Sequence, residues 1–338
     1  MKKIHSMFIL PVAIVLLVSV SATAQTATAF HVAKTFHIAS SGGWDYIAVG
    51  PGNNRLYVSH STQVNILDEK TGDSVGVIPN TGGVHGIAFV PSLNKGYTSN
   101  GRLNNITVFD LATNQVLGQI AAGQNPDAIM YEPFSKTIVT CNGRSNDLSF
   151  VDPVSEKTIA TVAVGGKPET AVSDGAGKVY VNIEDKNEIA VVDVKTKTVE
   201  HRWSLAPAEG PTGLAIDLVN KRLFAGCDKL MVVLDMVSGK VIAKLPIGDG
   251  CDGVAFDSGT KNAFASCGEG KLTVIHEDDA SHFTVVANIA TKKSARTIAV
   301  NETLHTIYLP AADFGALPAG ERRPPVIPGT FQVLVVSQ

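Results

Sequence analysis

Val64-Asn65-Ile66-Leu67-Asp68 is a short apolar strand ending in an acid, and it returns as Ile106-Thr107-Val108-Phe109-Asp110, Leu148-Ser149-Phe150-Val151-Asp152, Ile189-Ala190-Val191-Val192-Asp193 and Met231-Val232-Val233-Leu234-Asp235. The terminal aspartates step by 42, 42, 41 and 42 residues. A sixth copy, Leu272-Thr273-Val274-Ile275-His276, follows after 41 more residues with His276 in the place of the acid. A fixed period of this length marks a repeat architecture in which each unit is one supersecondary element.

Two further phrases recur in phase. Tyr57-Val58-Ser59-His60, Tyr97-Thr98-Ser99-Asn100, Val139-Thr140-Cys141-Asn142, Tyr180-Val181-Asn182-Ile183, Phe224-Ala225-Gly226-Cys227, Phe264-Ala265-Ser266-Cys267 and Tyr308-Leu309-Pro310-Ala311 are seven copies of a strand ending. Before each stands a polar residue that opens a small-and-aliphatic strand: Asp45, His85, Asp127, Glu169, Thr212, Asp252 and Arg296. Turn signals such as Pro51-Gly52-Asn53-Asn54 and Gly175-Ala176-Gly177 separate the two strands. With a fourth strand like that from Val116 to Ile120, each unit is a four-stranded antiparallel meander, the unit of a β-propeller blade. The fold expected is all-β: a seven-bladed propeller. Its last unit stops one strand short, and Thr35-Phe36-His37-Ile38 stands where that strand belongs, so the N-terminal strand is expected to close the last blade.

The repeat phrase, its turn and the Val-x-Val-x-Asp strand resemble the YVTN-repeat β-propellers, the YncE-like proteins exported by bacteria. The resemblance covers residues 30 to 338, with cysteine replacing the terminal asparagine in the fifth and sixth blades. It implies fold strongly and function weakly, because the shared residues are turn and packing residues.

The chain has 338 residues, of which 44% are hydrophobic and 17% charged, too apolar for disorder. Lys2 and Lys3 precede an apolar run from Met7 to Val20 that ends in Ser21-Ala22-Thr23-Ala24, the pattern of a cleaved secretory signal peptide. Residues 1–24 are therefore read as a signal and 25–338 as one propeller domain, periplasmic or secreted, without a transmembrane anchor after cleavage. Losing two lysines would take the net charge from −3 to −5. An acidic chain with two tryptophans, Trp44 and Trp203, speaks against nucleic acid as a partner.

In a meander the start of the first strand and the end of the second lie on one face. Repetition should thus ring Asp45, His85, Asp127, Glu169, Thr212, Asp252 and Arg296 around a channel mouth as a ligand-binding set. Converging carboxylates can hold a divalent cation or act as acid and base, and His60, His85, Asp127 and Glu169 are the candidate metal ligands. Solvated strand capping would explain the same residues. Cys251 and Cys267 fall opposite each other across a hairpin, a candidate disulfide in an oxidising compartment, with Cys227 to Cys251 and four free thiols as alternatives. The segment Ala311 to Thr330 interrupts the last blade with a proline-rich loop carrying Arg322 and Arg323, an arm for a partner.

No Gly-x-Ser-x-Gly elbow, phosphate loop or Cys-x-x-Cys-His occurs. The expected function is an exported binding or interaction propeller that presents its mouth and loop to a protein, glycan or small ligand. The alternative is a metal-assisted hydrolase or lyase at the mouth.

Overall fold

The computed structural model describes Met1 and residues 29–40, 42–318, 320–321 and 324–338. The signal-peptide segment falls among residues 2–28, and Arg322 and Arg323 likewise lie outside the described residues. Seven four-stranded antiparallel sheets form, six of them from strands consecutive in sequence. Blades 1 to 6 span residues 44–78, 84–121, 126–163, 168–204, 214–246 and 251–290. Blade 7 takes Ala299–Asn301, Thr306–Ala311 and Gln332–Ser337 from the C-terminus, and its outer strand His31–His37 from the N-terminus. The closing ladder runs from His31 opposite Ser337 to His37 opposite Gln332. No helix among the described residues is long and apolar enough to cross a membrane.

The recurring aspartate is a turn device. Asp68, Asp110, Asp152, Asp193 and Asp235 each accept backbone N–H bonds from the residues two and three further on, so that every third strand ends at a fixed place. His276, which has replaced the acid, instead bonds the Asn262 side chain at 3.0 Å, and the strand runs on to Asp279, which accepts the N–H groups of Ser281 and His282 in a two-residue turn.

Between these turns the second and third strands are buried on both faces, as blades stacked on their neighbours require. Each core cluster spans two adjacent blades; Tyr57 and Ile66 of blade 1, for example, pack with Phe109 of blade 2. Hydroxyls and amides of the strand endings also stitch neighbouring blades. Ser99 donates to the Asp127 carbonyl, Asn182 to those of Thr212 and Gly213, Thr212 to that of Cys251 and Ser266 to that of Ala295. Thr297 then donates to the Asp45 carbonyl at 2.5 Å and so joins the seventh blade to the first.

At two seams a glycine on the turn of one blade takes the aromatic face of the blade before it. Gly239, at φ 71°, lies under Trp203, where an added Cβ would come within 2.3 Å of the indole; Gly72, at φ 80°, lies under Phe36 in the same way. Gly239→Ala is therefore expected to destabilise by about 1–3 kcal/mol, through crowding together with left-handed strain. Chemical denaturation checks it, and an unchanged midpoint would contradict the placement of Trp203.

Candidate functional site

The seven polar residues that open the inner strands line one cavity of about 860 Å³ at the channel mouth. A register irregularity recurs at this place: the ladder skips between Trp44 and Ile47, Val84 and Ile87, Pro126 and Ile129, Pro168 and Ala171, and Cys251 and Gly253. Each skip releases the mouth residue from its partner strand and turns its side chain into the channel. Thr212 and Arg296 reach the same rim from just before their strands, which begin at Leu214 and Ala299.

The charges are paired around the ring. His85 Nδ1 lies 2.6 Å from Asp45 and 3.7 Å from Asp127. Arg296 bonds Asp252 at 2.6 Å, approaches Asp45 at 3.5 Å and donates to the Trp44 carbonyl at 3.1 Å. Lys167 pairs with Glu169 at 2.6 Å and also with Glu184.

Burial alone would lower the His85 pKa, but the hydrogen bond to Asp45 and the charges of Asp127, Asp45 and Glu169 outweigh it and raise it to about 9. Burial holds Asp127, Glu169 and Asp252 above the ordinary carboxylate range, reinforced by neighbouring acids and opposed by His85, Lys167 and Arg296 respectively. The mouth is thus a partly buried site of mixed charge.

Several lining residues had not been singled out from sequence. Tyr46 follows Asp45 at a position that is Gly86, Ala128, Thr170, Gly213, Gly253 and Thr297 in the other blades. Its ring extends from blade 1 to pack against the core cluster of blades 3 and 4 and so crosses the channel as a floor. One large residue among six small ones was the legible signal. Burial, then the charges of Asp127, Asp45, Glu169 and Asp252, push its phenol well up. Arg102, Lys167 and Glu184 come from the chain beside the inner strands and complete the walls.

The loop after Ala311 supplies the cover. Phe314 bridges to Val326, Gly315 N–H donates to the Pro325 carbonyl at 2.8 Å, and Lys292 pairs with Asp313 at 2.7 Å. Phe314, Pro324 and Val326 face the cavity, and the Phe314 ring sits 5.8 Å from Trp44.

Two expectations are corrected. His60 is 1% exposed and no mouth ligand: its ring bonds the Gly42 carbonyl at 3.0 Å and Ser40 Oγ at 2.5 Å and stacks on Phe331 at 4.0 Å. Burial lowers its pKa. It holds the chain entering blade 1 because the second strand ends beneath that segment. Cys251 and Cys267 do stand opposite each other, but all four cysteines are buried free thiols. The two thiols face each other closely enough to share a hydrogen bond, and each also reaches back along its own strand, to the carbonyls of Gly253 and Ala265 at 3.7 Å.

Of the metal candidates, Asp127 and His85 join Asp45 in a group whose ligand atoms lie within 4.8 Å of one another. Glu169 is held apart by its bond to Lys167.

No family model matches the chain, and no curated protein matches it. Among solved structures it is similar to a chain of Kuenenia stuttgartiensis hydrazine synthase, at 15% identity and a TM-score of 0.72, covering 81% of this chain and 94% of that one. At that identity the likeness shows the fold alone, a seven-bladed β-propeller.

Proposed function

We propose that this is an exported binding propeller of the YVTN-repeat, YncE-like type, whose mouth takes a small polar ligand or the exposed end of a glycan or protein chain. What carries the reading is the convergence of all seven equivalent polar residues on one floored cavity beneath the loop. A cavity of this size, with a few fixed polar groups and an apolar cover, suits a small ligand. Export rests on the signal-like residues 1–24.

The test is a thermal-shift panel of sugars, amino acids, amines and dicarboxylates on the wild type and on Asp127→Asn/Glu169→Gln. At least one compound should raise the wild-type melting temperature and lose that effect in the variant, which keeps the fold. Equal shifts in both proteins, or none in the wild type, would refute the reading.

The alternative, a metal-assisted hydrolase or lyase, is favoured by the Asp45, His85 and Asp127 group. Against it stands the hydrogen bond from His85 to Asp45, which makes the imidazole the cation between two carboxylates. A metal would first have to displace its proton.

A further inference from the structure

One place in the repeat is buried against the preceding blade. It follows the recurring aspartate, and in blades 2 to 5 it holds Leu111, Pro153, Val194 and Met236, all apolar and buried. Blades 1 and 6 put an acid there, Glu69 and Glu277, which are 7% and 1% exposed. A carboxylate at such depth is costly unless donors meet it.

Glu69 has its donors. From blade 7, Asn301 Nδ2 donates to it at 2.6 Å and the Tyr308 hydroxyl at 3.0 Å. At the seam of blades 5 and 6 the equivalent residues are Asp217 and Phe224. Asp217 ends its ladder opposite Arg222 as Asn301 does opposite Thr306, and the aromatic residue stands two places further on. So Glu277 meets a second carboxyl where its twin meets an amide, and a bare ring where its twin meets a hydroxyl. Neither Glu277 oxygen has a hydrogen-bond partner among the described residues. Asp217, 4% exposed, stands close enough to bond it once one of the two holds a proton.

The other charged groups at the seam are spent elsewhere. Arg222 bonds the carbonyls of Ala280 and Lys221 and the Asp235 carboxylate at 2.8 Å. Lys261 meets Glu277 through its backbone carbonyl, which accepts the Glu277 N–H at 2.8 Å. Asp217 accepts the N–H groups of Val219 and Asn220. Burial, followed by the charge of Asp217, pushes the Glu277 carboxyl up to about 7, against the pull of Asn220 and Arg222.

We propose that Glu277 and Asp217 hold one proton between them as a latch across the seam, with the Glu277 O–H donating to Asp217, and that its release in mild alkali loosens blade 6 from blade 5. The proton goes to solvent and leaves two buried negative charges in contact, which repel. Because the folded value stands above the 4.5 of a free glutamate, the latch is whole in acid and is lost as the pH rises through about 7. The inference is independent of the mouth and its ligand.

Hydrogen exchange in the whole protein tests it, read by mass on peptides spanning 215–224 and 274–284 and corrected for the intrinsic effect of pH. Opening there should rise about tenfold from pH 5.5 to pH 8.5, while the stretch 299–308, beside Glu69, stays level. Asp217→Asn gives this seam what Asn301 gives its twin. The side-chain oxygen of Asn301 accepts the N–H groups of Thr303 and Leu304 while its amide donates to the acid, so the substituted turn keeps its bonds. Exchange in this variant should be flat with pH, and at pH 8.5 it should melt above the wild type. Glu277→Leu, which installs the residue type of Leu111, should be flat as well.

Level opening in the wild type, an undiminished slope in either variant, or an equal rise beside Glu69 would each overturn the latch. So would Asp217→Asn melting below the wild type at pH 8.5, since an amide would then be no better a neighbour to Glu277 than the carboxyl.

Discussion

A protein lacking residues 29–40 is expected to melt about 10 °C below the intact chain. The strand His31–His37 supplies the outer edge of blade 7, and with it Phe36 and Ile38, both 5% exposed. Two such side chains returned to water cost about 5 kcal/mol, and a domain of this size loses about 2 °C per kcal/mol. Ser40 goes too, and with it the bonds that His60 and Asn65 make to its hydroxyl. The loss also leaves Gln332–Ser337 as an open edge for pairing with other chains. Scanning calorimetry measures the shift. Phe36→Ala alone should account for about 3 kcal/mol of it, the usual cost of emptying a buried phenylalanine site. An unchanged melting temperature in the truncated protein would mean that the ring closes without this strand.

Stability should fall as pH rises from mild acid to pH 9, by about 3 kcal/mol or about 6 °C from His85 alone. The folded protein holds the His85 proton up to about pH 9, whereas the unfolded chain releases it near 6.5. That contribution is complete below pH 6.5 and lost as the pH passes 9. Asp127, Glu169 and Asp252 act in the same direction, because their raised folded-state values mean that folding takes up protons the unfolded chain gives away near pH 4. Melting temperatures at pH 5, 7 and 9 read the slope. Asp127→Asn/Glu169→Gln should flatten the part below neutrality, and His85→Gln the part above it. A wild-type melting temperature that rises from pH 5 to pH 9 would contradict the charge arrangement of the mouth.

Much of the site was legible because a repeat converts one-dimensional spacing into a ring. The positions of Asp45, His85, Asp127, Glu169, Thr212, Asp252 and Arg296 followed from counting back from the strand endings, and all seven line the cavity. His60 was misassigned for a reason the count cannot see. A strand end is exposed or buried according to what crosses over it, and here Ser40, Gly42 and Phe331 do. The cysteine register was legible because pairing across a hairpin sets Cys251 opposite Cys267, and the two stand there as facing buried thiols.

By itself the sequence determined the seven blades and the closing partner of the last sheet. Those depend on local signals: a turn capped by its own aspartate, alternation within a strand, and a constant period. Tertiary structure alone decided which mouth residues share charge. Asp45 meets His85 from the adjacent blade and Arg296 from 251 positions along the chain, and it meets the second only because the ring is closed. Tyr46 becomes a floor only because blades 3 and 4 stand across the channel from it. Contacts of that kind have no period, and their strength comes from the water that the closed ring excludes.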